Sequence, residues 1–345
     1  MIERDRCLSP RRRFRHAAVL VTVVFLLTGA ECDKLVPAVG PSGSITLVTD
    51  LPANSPAELA LRAALEREVV LVRPERAFRV ESMQGGQLDR MRHARNLALM
   101  VDLSRASDLT REVERLVGER LLGEMRAGRR LYSLYSDVWA NGQSVMVLAA
   151  PTAADLSRAI DANADRIYES LERRVIQQTA HIIYISGEQA DFARYLSKRY
   201  GWTLRIPKGF QVSEDADEHV VRFLMSAGGT RLVFVHWQDG VDRLPSVEEC
   251  IDIRARIVYF YDQDTVLREA TTSQRTDFRG RRALKLDGVW QNEKYTKGGP
   301  FRTYCLIENG RFYMIDLLVF DPRGDKIDLM RQVEAMAVTF RDERT

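Results

Sequence analysis

The sequence predicts an α/β chain that turns α+β in its second half. A layered α/β domain is expected over residues 44–201, and an antiparallel-sheet α/β sandwich over 202–341. Three observations predict this. In the first part, short apolar runs alternate with amphipathic stretches, the pattern of strands separated by helices. In the second part, apolar runs punctuated by turn signals read as a meander closed by one helix. The length of 345 residues, 45% of them hydrophobic, supplies a separate core for each part.

The elements follow in order. Ile45–Thr49 is a short apolar strand. Ser55-Pro56 starts a helix, with Ser as the cap and Pro at the first position, and Leu59, Leu61, Ala63 and Leu65 populate it. Val69–Val72 and Phe78–Val80 read as strand material. Asn96–Leu103 is almost continuously apolar, as expected of a strand covered on both faces. Asp108–Arg126 reads as one amphipathic helix. Asn141-Gly142 signals a tight type I′ hairpin, which sets Val138 opposite Val145 and Ser136 opposite Val147. Thr152 caps a long helix to about Gln178, and a further helix after Gly187 ends at Gly201.

In the second part Leu204–Phe210 reads as a strand, and Val220–Met225 and Leu232–Trp237 as two more. Val247–Tyr261 reads as helix or strand, and residues 263–276 carry no clear signal. Ala283–Trp290, Phe301–Ile307 and Phe312–Phe320 form the meander. Its last turn, Glu308-Asn309-Gly310-Arg311, is a type I′ signal closed by opposite charges. Counting outward sets Cys305 opposite Met314 and Thr303 opposite Asp316. Ile327, Met330, Val333, Met336 and Phe340 mark a closing amphipathic helix.

Residues 1–31 have the three parts of a signal peptide. Arg11–His16 is basic, Ala17–Leu27 is apolar apart from Thr22, and Thr28-Gly29-Ala30 offers small residues for cleavage. The apolar run is short for a spanning helix, which needs about 20 apolar residues. Lipidation at Cys32 would fix the chain to a membrane. Glu31 departs from the small residue such signals place there, so cleavage after Ala30 and release into the periplasm competes with the anchor. Residues 32–43 read as a flexible tether. Six arginines and three acids lie in residues 1–31, which leaves 45 basic and 45 acidic residues from Cys32 onward. The neutral remainder removes the electrostatic case for nucleic acid. Cys250 and Cys305 are a pair that could form a disulfide, although nothing in the sequence fixes their distance, and a buried free thiol is the preferred reading of Cys305.

Several phrases occur together in this order: HARNLALMVDL (93–103), DVWANGQSVMVLAAPT (137–152), LRIPKGF (204–210), LDGVWQNEKYTKGGPFRTYCL (286–306) and DLMRQVEAMAVTF (328–340). Together they resemble the bacterial envelope lipoprotein family catalogued as domain of unknown function 4837, over about residues 44–340. The resemblance implies an exported, lipid-anchored protein and supplies no catalytic residues. Residues 202–340 are also similar in architecture to the α/β/α sandwich shared by photosystem oxygen-evolving-complex P subunits and the Mog1 nuclear-transport factor.

No Walker loop, dinucleotide fingerprint, GxSxG elbow or HExxH motif is present in the sequence. No metal and no cofactor is expected. Two candidate sites remain. The loop 290–301 carries Trp290, Tyr295 and Phe301 around Gly298-Gly299, large aromatics beside a backbone that a partner could approach closely. His236 with Asp239 is the catalytic candidate, a base oriented by a carboxylate. The expected function is a non-catalytic binding or assembly module of the cell envelope, held at a membrane by lipid. It would meet an envelope protein or peptide through the second domain or the cleft between domains. A periplasmic enzyme and a purely structural envelope factor are the alternatives.

Overall fold

A run of apolar residues long enough to be covered on both faces fixes the first sheet. The computed structural model describes residues 35–70 and 72–344, so residues 1–31, expected to be a signal peptide, and Cys32 lie outside the described residues. The chain runs through β1 (Ser44–Thr49), α1 (Pro56–Leu65), β2 (Glu68–Val70), β3 (Pro74–Arg76), β4 (Arg79–Gln84), α2 (Leu88–Met91) and β5 (Asn96–Asp102). It continues through α3 (Asp108–Val117), α4 (Glu119–Arg126), β6 (Tyr132–Ser136), β7 (Ser144–Ala150), α5 (Ala153–Ala162) and α6 (Ala164–Ile183). The sheet order is β4-β1-β5-β7-β6, parallel except for β6. Alternate residues of β5 face opposite layers. Ala98 and Met100 pack with α1, α5 and α6, while Leu97, Leu99 and Val101 pack with α3 and α4. The ribbon β2–β3 stands apart from this sheet.

Three expectations for this half change. Gly118, at φ +77°, divides the helix expected over 108–126 into α3 and α4, because its conformation is outside the helical range. Asn163 likewise separates α5 from α6, its side chain donating to the Ala159 carbonyl at 2.8 Å. The hairpin register also shifts: Val145 faces Tyr135 and Val147 faces Ser133. Asn141 is occupied elsewhere, its N–H donating to Val36 O and its carbonyl accepting from Ala38 N. A wider loop results, braced by Gly142 N donating to Asp137 Oδ1 at 2.6 Å. The same bonds hold residues 36–39, part of the expected tether, against the first half of the chain.

The second half comprises α7 (Ala190–Tyr200), β8 (Trp202–Thr203), β9 (Gln211–Asp215), β10 (Val220–Met225), β11 (Thr230–Asp239), α8 (Val247–Asp262) and β12 (Thr265–Phe278). It ends with β13 (Arg281–Asn292), β14 (Lys297–Glu308), β15 (Arg311–Phe320), α9 (Ile327–Ala337) and β16 (Arg341–Asp342). Seven antiparallel strands lie in the order β12-β13-β14-β15-β11-β10-β9. α8 covers one face, and α7 and α9 cover the other. Thus the chain is α/β, with an antiparallel sandwich in its second half. The ambiguous residues resolve as helix α8, opened by a Ser246–Glu249 capping box, and strand β12. Leu204–Phe210 is not a strand: β8 ends at Thr203, and Pro207 forms one isolated bridge to Glu188.

The last turn of the meander has the expected register, Cys305 facing Met314 and Thr303 facing Asp316. Asn309 and Gly310 take φ +48° and +71°, as a type I′ turn requires. The flanking charges do not pair with each other. Glu308 binds Arg281, and Arg311 binds Asp239. Asp316 points under α8, where Arg254 Nε donates to it at 2.7 Å and the Thr303 hydroxyl also donates. Both members of this ion pair are 0% exposed.

From Leu35 onward the chain forms one unit, and α9 is what joins its halves. One side of α9 packs on the antiparallel sheet through Met330, Val333 and Met336. Arg331 points the other way, donating to Glu172 of α6 at 2.9 and 2.6 Å and to the Ala77 carbonyl at 2.8 Å. Its guanidinium lies 4.7 Å from the Phe78 ring. The Glu75 carboxylate of β3 accepts from Lys326 N and Ile327 N at 2.7 and 3.1 Å, capping α9 from the far half. Breaking a buried, hydrogen-bonded ion pair from one side costs about 3–5 kcal/mol. Arg331→Ala is therefore expected to lower stability by about 3 kcal/mol and to split the calorimetric transition into two; a single transition at the wild-type midpoint would refute this role.

Candidate functional site

Residues of one strand that lie three apart point to opposite faces of the sheet, and this separates the two catalytic candidates. His236 points under the α8 layer, 6% exposed, and its Nδ1 donates to the His219 carbonyl at 3.1 Å. Burial pushes its pKa down to about 4, so the ring is neutral near pH 7. Asp239 is held instead by Arg311, in two hydrogen bonds of 2.6 and 2.8 Å. The Arg311 guanidinium keeps that carboxyl below the usual range. His236 and Asp239 thus form no dyad, and the pair is corrected to a core histidine and a separate ion pair.

The 290–301 loop is also revised. Its two ends are strand residues, and the hairpin tip is only 293–296. Trp290 is 2% exposed and donates from Nε1 to the Val319 carbonyl at 3.4 Å. Phe301 is 1% exposed and lies 3.5 Å beneath the Arg254 guanidinium. A Cβ on Gly298 would collide with the Trp290 carbonyl, and one on Gly299 with the Val319 carbonyl. The close approach these glycines permit is between strands, not to a ligand. Strand parity carried this signal: counting by two from Leu284 and Leu286 brings Trp290 to the covered face.

Tyr295 alone of the expected aromatics is at the surface, 61% exposed. It has companions that the sequence reading missed. Tyr259 and Phe260, at the end of α8, are 62% and 64% exposed. The hairpin tip is tied to that end of the helix. Asn292 Nδ2 donates to the Asp262 carbonyl at 2.9 Å and to Asp264 at 2.7 Å, and its Oδ1 accepts from Tyr295 N. Lys294 and Lys297 stand 5.2 and 5.4 Å from the Tyr295 ring. Tyr295 with its two ammonium groups thus stands on a hairpin tip tied to the helix end that exposes Tyr259 and Phe260. That end is rigid, since Asp262 pairs with Arg222 and Tyr261 donates to Asp215 at 2.9 Å.

Between the halves, a cavity of about 150 Å³ is lined by Tyr168, Glu172, Lys285, Arg302, Arg331 and Glu334. Its charges satisfy one another. Arg302 binds Asp287 at 2.7 Å and Glu334 at 3.2 Å, and the Tyr304 hydroxyl donates to Glu334 at 2.6 Å. Burial pushes the Asp287 pKa up, but Arg302 and Lys285 outweigh it and the net direction is down. Burial raises Tyr168 to about 12. Such a network locks charged forms in place rather than poising a group to exchange protons near neutrality. Elsewhere, Glu214 accepts from the Tyr195 hydroxyl at 3.0 Å, and Asp215 accepts from Glu218 N at 3.1 Å. No group of three or more acidic, His or Cys ligands lies together among the described residues.

The buried histidine gives a pH test. The unfolded ring takes a proton near 6.5 and the folded one only near 4. Stability is therefore full above about pH 6.5 and falls as pH drops toward 4. His236→Gln lacks this component, so the stability gap between wild type and variant should shrink by roughly 2–3 kcal/mol between about pH 7 and pH 4.5. Denaturant midpoints at the two pH values measure it, and a pH-independent gap would contradict a neutral core histidine.

Residues 189–339 match the family model described as Domain of unknown function (DUF4837). Residues 38–184 match a different one, Domain of unknown function (DUF8532). No curated protein sequence matches significantly. Among solved structures, similarity extends to a crystal structure from Bacteroides thetaiotaomicron VPI-5482, with 9% identity, 42% of this chain and 46% of that chain covered, and a TM-score of 0.28. This chain thus spans less than half of that protein's length. The Saccharomyces cerevisiae Ran-binding protein Mog1p gives 12% identity over 41% of this chain and 90% of its own, with a TM-score of 0.29. The PsbP protein of Synechocystis sp. PCC 6803 gives 12% over 41% and 86%, also at 0.29. The resemblance expected over 44–340 is accordingly narrower: the second half of this chain, residues 189–339, resembles the family of domain of unknown function 4837, and the first half matches a separate family.

Proposed function

We propose that the chain is an exported envelope protein, anchored by lipid on Cys32, that works as a non-catalytic binding or assembly module. Its docking surface is the aromatic tip formed by Tyr259, Phe260 and Tyr295. The observation that carries the reading is the exposure of these rings at the end of α8 and on the hairpin tip that Asn292 ties to it. Aromatic side chains contribute large contact area at little conformational cost, which is why they recur as binding anchors. Lys294 and Lys297 favour a partner whose apolar contact is flanked by acidic groups. An envelope protein or peptide with that surface is the partner proposed. The signal-like segment 1–31, with its basic stretch, apolar run and small residues before Cys32, supports the address.

Two measurements test the reading separately. Substituting Tyr259, Phe260 and Tyr295 together by Ala should abolish co-purification of the partner from detergent-extracted envelopes. Folding stability should stay within about 1 kcal/mol, since the three side chains are exposed. Unchanged capture would eliminate the tip as the docking surface. For the anchor, metabolic labelling with a fatty acid should mark the wild type and not Cys32→Ser. An unlabelled wild type recovered in the soluble periplasm would show release after Ala30 instead.

A further inference from the structure

The chain from Cys32 onward has equal numbers of acidic and basic residues, yet one groove in its first half is strongly cationic. The groove, of about 880 Å³, lies beside strand β6, where β7 ends and α5 begins. Five arginines line it: Arg126, Arg129, Arg130, Arg158 and Arg166. Two carboxylates share the lining, Glu124 and Asp155. Each already binds one arginine, Glu124 with Arg130 at 3.0 Å and Asp155 with Arg158 at 2.5 Å. Arg126 reaches outward to Glu114 at 2.6 Å. Arg129 and Arg166 have no carboxylate within ion-pair distance among the described residues.

The backbone holds the cations firmly in place. Gly128, at φ +67°, turns the chain after α4, and the Glu124 carbonyl accepts from both Arg129 N and Arg130 N. Tyr132 OH donates to the Arg166 carbonyl at 3.3 Å and meets Ser170 Oγ at 2.9 Å, fixing β6 against α6. The α5 N-terminus does not contribute, because Thr152 and Asp155 already satisfy its first turn.

We infer that this groove binds a phosphorylated ligand. Guanidinium groups meet phosphate oxygens in a two-pronged fork that a lysine cannot reproduce, and the basic lining is arginine throughout. Arg129 and Arg166 supply the uncommitted forks. The volume suits a ligand up to about nucleotide size. The phosphate is borne by a free small molecule or by a lipid headgroup, since both present the same chemistry to the arginines.

The test is calorimetric titration of the full chain with inorganic pyrophosphate, alongside sedimentation with phosphatidylcholine vesicles with and without phosphatidylglycerol. Pyrophosphate binding is expected to weaken about tenfold or more in the Arg129→Glu/Arg166→Glu variant and with rising salt. Arg323→Glu, a charge reversal on an exposed loop far along the chain, should leave it unchanged. The three arginine sites lie outside the hydrophobic clusters, and equal thermal midpoints verify folding. Binding to pyrophosphate identifies a free phosphorylated ligand. Phosphatidylglycerol-dependent sedimentation that is lost in the double variant, without pyrophosphate binding, identifies a headgroup. Absence of both, or an equal loss in Arg323→Glu, overturns the inference.

Discussion

Arg331 is the side chain on which the architecture turns. It is 2% exposed on α9 and donates to Glu172 and to the Ala77 carbonyl, both in the other half. A buried guanidinium is tolerated only when its donors are matched, so its position fixes α6, the approach to β4 and α9 together. Burial pushes the Arg331 pKa down, yet Glu172 and Asp328 outweigh it and the group stays charged. The apolar side of α9 then places the antiparallel sheet. Both halves are thereby held by one helix whose two sides use different physics: hydrophobic packing toward its own sheet and matched charge toward the other.

The sandwich uses a second buried pair for a different purpose. Arg254 and Asp316 sit beneath α8 in a largely apolar layer that includes Phe234, Phe301, Cys250, Cys305 and Met314. The thiols of Cys250 and Cys305 are in contact there, and burial raises the pKa of Cys305. A β-strand slipped by one residue would carry Asp316 to the α9 face and leave Arg254 unmatched. The pair is thus a register device, and it explains why the acidic position in RFYMIDLLVF is compatible with a strand that is covered on both faces.

Much of this was legible in the sequence. Apolar alternation gave the layered first half, and Asn309-Gly310 gave the register of β14 and β15. What failed did so where long-range contacts override a local signal. Asn141-Gly142 is a good tight-turn dipeptide, but the backbone of Asn141 is spoken for by residues 36 and 38. Trp290 and Phe301 are conspicuous as aromatics, yet their parity, readable from Leu284 onward, puts them under α8. Arg129, Arg158 and Arg166 are unremarkable in a sequence with 29% charged residues. Only the packing of α4, α5 and α6 around β6 turns them into one wall. Tyr259 and Phe260 were hidden for the opposite reason, being read as part of an apolar run whose other members are buried.

Glu75 adds a temporal constraint. It caps a helix whose first turn lies 251 residues further along the chain, so the Glu75 carboxylate has no backbone donor from α9 until the last part of the polypeptide has emerged. Contacts of such sequence separation form late and slowly. The first sheet can assemble while the chain is still being made, but its β2–β3 ribbon must wait with an unmatched carboxylate. A chain cut short before α9 would keep secondary structure in its first half while exposing the seam to proteases, giving the cell a simple means of discarding unfinished copies.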